Sequence, residues 1–86
     1  MTPDSIGPLV DARQYTDFST EIDLTANPAR YIRVDDAGTG TKLVAVEMGS
    51  SGGVTRTFTT TTGWELIGQI TKIETTTTVS RLLVGW

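Results

Sequence analysis

This chain has no cysteine and no histidine. The first absence removes disulfide frameworks and thiolate chemistry, the second removes imidazole bases, and together they remove the common zinc sites. Aromatics are scarce, with two each of Phe, Tyr and Trp, so little bulk is on hand for a core. No apolar run nears the roughly 20 residues of a membrane-spanning helix; the longest stretches lie around Leu43 to Val46 and Leu82 to Val84. Cations are few and scattered, and the net charge of −3 speaks against nucleic acid, whose binding depends on clustered cations and counterion release. The start, Met1 to Asp11, has Asp4 where a secretory leader has basic residues, and Pro3, Gly7 and Pro8 where it has an apolar helix. A reducing compartment without secretion is expected.

What is abundant is threonine, 17 of 86 residues. Its branched β-carbon favours strands, so the chain reads as all-β. At 86 residues it makes one small domain, which buries only about 60% of the surface of its unfolded form. Residues 1–14 are expected to be an extended N-terminal arm, because Pro3, Gly7 and Pro8 bar helix and central strand while Ile6, Leu9 and Val10 stay apolar. An arm of this kind either frays or orders by burying those three residues on a partner. Residues 15–86 form the domain.

Tyr15 to Leu24, with Phe18, Ile22 and Leu24, predicts an edge strand ended by Asn27-Pro28. Five strands then follow at Arg30–Asp35, Thr41–Met48, Val54–Thr60, Trp64 to about Glu74, and Val79–Trp86. Between the first two, Gly38 and Gly40 permit a reversal at positive φ. The second strand alternates Val44, Val46 and Met48 with Leu43, Ala45 and Glu47, and reads as buried on both sides over its first half. The fourth is long enough to bend, with Gly68 as the place for a bulge or close contact. An echo at an offset of 16 residues aligns the threonine runs 59–62 and 75–78, and suggests that equal hairpins reuse one turn. The expectation is a small antiparallel β-sandwich or partial barrel of five to six strands, in a meander or jelly-roll-like arrangement.

Catalytic inventory is thin. Asp35-Asp36 offers too few oxygens for calcium. Gly38-x-Gly40-Thr41-Lys42 lacks phosphate-loop spacing and precedes a strand instead of a helix. Ser50, Ser51 and Ser80 have no histidine to activate them, and Glu47, Glu65 and Glu74 as paired acids would need a substrate cleft that so small a chain has little volume for. No enzyme, cofactor or metal is expected. Trp64 and Trp86 read as core or interface anchors, with Trp86 buried at a subunit contact. The second reading makes either Trp a sugar platform in a carbohydrate- or receptor-binding module.

The run Pro28-Ala29-Arg30-Tyr31-Ile32-Arg33-Val34, then Ala37-Gly38, Leu43-Val44-Ala45, Phe58 between threonines, Gly63-Trp64-Glu65-Leu66-Ile67-Gly68-Gln69-Ile70-Thr71-Lys72-Ile73 and the Thr-rich turn before a terminal apolar strand resembles small all-β virion proteins of tailed bacteriophages and gene transfer agents, of the capsid spike-base or decoration type. Thr60-Thr61-Thr62 before Gly63 and the Gly49–Gly53 connection depart from that pattern. The resemblance covers residues from about 24 to 86. It implies a non-enzymatic structural protein, made in the bacterial cytoplasm and resident in the virion. Its implied partners are a major capsid protein or other virion protein and copies of itself, as a trimer or pentamer, with no nucleic acid and no membrane. Ile6, Leu9, Val10, Trp64 and Trp86 are the candidate contact residues.

Overall fold

The computed structural model describes residues 11–49 and 53–86. They form seven strands and no helix: β1 Ala12–Tyr15, β2 Ile22–Asp23, β3 Ala29–Asp36, β4 Lys42–Met48, β5 Val54–Thr60, β6 Glu65–Ile73 and β7 Arg81–Gly85. All pairings are antiparallel, in one open sheet of order β1-β7-β3-β6-β4-β5, with β2 added to β6. The all-β antiparallel class expected from threonine is therefore the class observed. β1 takes residues 12–14 of the expected arm into the sheet, where they pair with β7.

Of the meander or jelly-roll-like arrangement expected, the meander is not the one observed, because the connections are crossed. Only β4 and β5 are neighbours both in sequence and in space. Burial explains the order. β3 buries Ala29, Tyr31, Ile32 and Val34 and so takes a central place, whereas β1 and β5 are mostly exposed and lie at the ends.

β6 is the strand on which the fold turns. Its first part, Glu65 to Ile67, pairs with β3, and its last part, Ile70 to Ile73, pairs with β4. Between Ile67 and Ile70 it takes three steps against two on β3, and between Ile70 and Lys72 two steps against one on β4. Each extra residue is a β-bulge, and bulges bend the strand that carries them. The first falls at Gly68-Gln69, where a β-carbon on Gly68 would collide with the Met48 methyl, so the bulge and the close approach expected at this glycine are both present. The bend folds the β1-β7-β3 half over the β4-β5 half. Extents of 31 × 29 × 18 Å fit this sandwich-like form, since stacked sheets lie about 10 Å apart before their outer side chains are added.

One core cluster joins both halves: Ile32 and Val34 from β3, Val44 and Val46 from β4, Ile70 and Ile73 from β6, Leu82 and Val84 from β7, with Phe18, Leu24, Val79 and Trp86 closing it. On β4, Val44, Ala45 and Val46 are fully buried while Leu43 is 38% exposed, so the strand is covered on both sides only at its middle. The single strand expected over Tyr15–Leu24 is instead two short ones. Asp17 accepts a hydrogen bond from the Ser19 amide at 2.9 Å, an Asx turn that breaks the extended run and lets Phe18 enter the core.

The threonine runs are structural rather than merely solvated. After β6 the chain runs along the free edge of β4. There Thr77, buried at 5% exposure, accepts from the Ala45 amide at 3.1 Å and donates to the Ala45 carbonyl at 3.2 Å, and Thr78 accepts from the Leu43 amide at 2.9 Å. In the other run, Thr60 donates to the Lys42 carbonyl at 3.1 Å and Thr62 accepts from the Ala37 amide at 3.0 Å. Hydroxyls thus satisfy backbone groups along the free edge of β4, at the end of the β4–β5 ladder and in the loop after β3. No described buried side-chain N or O atom lacks a partner.

Candidate functional site

A cleft of about 290 Å³ is lined by Asp11, Arg13, Tyr15, Ile22, Asp23, Leu24, Ala26, Asn27 and Trp86. Strand alternation builds it. Arg13 and Tyr15 pair with Val84 and Leu82, which face the core, so both side chains point to that face. Trp86 continues the same alternation past the end of β7 and donates its indole N–H to the Asn27 carbonyl at 2.7 Å. Its own amide donates to the Asp11 carbonyl at 2.9 Å. The Arg13 guanidinium lies 5.7 Å from the centroid of the Trp86 ring, within cation–π range, and its 3.5 Å contact with Asp11 is exposed on both sides, which leaves it little energy after screening. At the opposite wall the hydroxyl and amide of Thr25 both donate to Asp23, and these bonds hold that carboxyl below its ordinary range.

Trp86 is 9% exposed, and the chain that covers it is its own. Trp64 is half-buried elsewhere, with its ring 5.1 Å from that of Phe58 at an angle of 41°, a tilted pair across the two halves of the fold. The two tryptophans therefore belong to separate places, Trp86 in the wall of the cleft and Trp64 against Phe58. Ile6, Leu9 and Val10 lie outside the described residues.

Several other acids and hydroxyls bond to neighbours. On the face of the sheet opposite the core, the Tyr31 hydroxyl donates to Glu65 at 2.5 Å, Arg33 Nε donates to Asp35 at 2.7 Å, and Gln14 donates to the other Asp35 oxygen at 3.0 Å, tying β1 to β3 across β7. Burial and the Glu65 carboxylate push the Tyr31 hydroxyl up to about 12. Burial opposes ionisation of Asp35, but the bonds from Arg33 and Gln14 together outweigh it and hold its carboxyl below the usual range. Asp36 turns away to accept from the Gly38 amide at 2.9 Å, at the reversal where Gly38 and Gly40 have φ of +87° and +77°, so the adjacent acids do not converge on one ion. Glu47 is engaged by Lys72 at 3.8 Å and by Thr71, at the far end of β6 from Glu65. Among the described residues no cluster of three or more His, Cys, Asp or Glu could hold a metal.

Sequence reasoning missed Arg13, Asn27 and the cleft itself. The alternation Arg13-x-Tyr15 was the available signal, hidden because both flank the boundary between arm and domain. A different surface stands out by exposure. β5 is exposed on both faces over Val54 to Thr57, it pairs with β4 alone, and its other edge carries no strand among the described residues. Val54 is 61% exposed, Ile67 44% and Leu43 38%. Comparison with known proteins finds no matching family model, no matching curated protein and no matching solved structure.

Proposed function

We propose that this chain is a non-enzymatic structural subunit of a phage or phage-like virion, bound to the capsid surface as a decoration or cement protein or as the base of a head spike. The observation that carries the reading is an open sheet on a small core, with an edge strand exposed on both faces over Val54 to Thr57. A domain of this size gains stability when partners cover such surface, and an uncovered edge of this kind invites unwanted strand pairing. The resemblance of residues 24 to 86 to virion proteins supplies the particle. Its partners on this reading are the major capsid protein or another virion protein, and sister copies in a trimer or pentamer.

The test is co-sedimentation of the purified chain with particles that lack it, for the full chain and for a form without residues 1–10, which leaves β1 intact. Attachment by the full chain and its loss in the shortened form are expected. A full chain that stays in the supernatant at every concentration contradicts the proposal.

A further inference from the structure

The exposed edge of β5 has a sequence that complements itself. Val54-Thr55-Arg56-Thr57-Phe58-Thr59-Thr60 contains no proline and no glycine, and Arg56 is its single charge. Proteins blunt free edges with lysines, prolines, bulges or very short strands. Here the strand is seven residues long, and its register with β4 runs unshifted from Lys42↔Thr60 to Met48↔Val54. A straight, unbulged, β-branched edge is the form that accepts another strand.

We propose that β5 pairs antiparallel with β5 of a second copy of this chain, about a two-fold axis through Thr57. In that register Thr57 faces Thr57, Arg56 faces Phe58, Thr55 faces Thr59 and Val54 faces Thr60. Every feature of the strand suits this centre. The lone cation meets an aromatic ring instead of its own copy, within reach of a cation–π contact. The threonines meet threonines, a favourable cross-strand pair, and each exposed Val54 comes under the far end of the partner strand. Moving the axis by half a residue toward the amino terminus would set Arg56 against Thr57. A full residue would set Arg56 against Arg56, which like-charge repulsion disfavours. Whichever alternate set of β5 amides points away from β4, that set is symmetric about Thr57, so the axis does not depend on which set is free. The contact is isologous and differs from the head-to-tail contacts that close a ring of three or five. It joins two lone subunits or two rings, and it stands whether or not the chain belongs to a virion.

Because the chain has no cysteine, engineered thiols report the register directly. Residues facing each other in an antiparallel pair have Cα atoms about 4.5–5.5 Å apart, inside the span a disulfide bridges. Thr55, Thr57 and Thr59 are all exposed, so single substitutions there leave the core untouched. Thr57→Cys is expected to oxidise to a covalent dimer at least tenfold faster than Thr55→Cys or Thr59→Cys alone. An equimolar mixture of Thr55→Cys and Thr59→Cys, in which half the pairs are mixed, is expected to form the mixed dimer about half as fast as Thr57→Cys forms its own. Thr57→Lys, which sets two ammonium groups across the axis, is expected to shift the sedimentation mass to half that of the unmodified chain at equal concentration while its circular dichroism stays unchanged. Equal oxidation rates for all three cysteine variants, or no covalent dimer from Thr57→Cys, overturn the pairing.

Discussion

Replacing Trp86 tests whether the end of the chain serves its own fold or a neighbour. The side chain is 9% exposed, its N–H is held at 2.7 Å by the Asn27 carbonyl, and Arg13 lies over its ring. Trp86→Ala should cost about 3–5 kcal/mol for the buried ring, with about 0.5–1 kcal/mol more from the cation–π contact. A chain of 86 residues has a total of roughly 4–13 kcal/mol at typical stability per residue, so this variant should sit near its unfolding limit. Trp86→Phe keeps most of the apolar contact and loses the hydrogen bond, and should cost about 1–2 kcal/mol. Urea unfolding of dilute protein measures both. In a Trp64→Phe background the emission of Trp86 should be blue-shifted in the folded chain and red-shifted on unfolding. A Trp86→Ala variant as stable as its parent when dilute, but of lower native mass, would refute the self-covered placement and move Trp86 to a subunit contact.

Three further outcomes follow from the same geometry. Thr77→Val leaves the amide and carbonyl of Ala45 without their hydroxyl and should cost about 1–3 kcal/mol in urea unfolding, whereas Thr76→Val, at an exposed position, should change stability by less than about 0.5 kcal/mol. Tyr31 is held neutral, with its ionisation raised to about 12, so its contribution is whole below pH about 10 and is lost as pH rises from there toward 12. Each tenfold change in proton affinity corresponds to about 1.4 kcal/mol, and solvent around the partly exposed Glu65 screens some of it. Alkaline unfolding should therefore show a loss of roughly 1–3 kcal/mol that Tyr31→Phe removes. Asp35 is held ionised, so its contribution is present above the ordinary carboxylate range and lost as pH falls through it. Acid titration of stability should be shallower in Asp35→Asn, and an unchanged slope would contradict the Arg33 and Gln14 bonds.

The strands β3 to β7 were legible within about two residues because alternation in β3 and β5 and short apolar runs in β4, β6 and β7 are set off by glycine or threonine turns. Gly68 was legible as a bulge because a long strand with one interior glycine has few other places to bend. Connectivity was not. Which strand lies beside which depends on burial of Ile32 and Val34 between distant partners, and neither propensity nor turn chemistry encodes that. The cleft was hidden for the same reason: Trp86 meets Asp11, Arg13 and Asn27 only after β1 and β7 have paired. The threonine runs were visible as runs, but their task, hydroxyls completing the backbone pairing of β4 and the loop after β3, depends on an edge that only the folded chain defines.

The claim that this open β-domain is a virion subunit is tested most directly by quantitative mass spectrometry of purified particles from the host that encodes it. The chain is expected in mature particles, at a fixed ratio to the major capsid protein set by three-fold or five-fold positions. Its absence from particles, with the chain abundant in the same lysate, would contradict that claim.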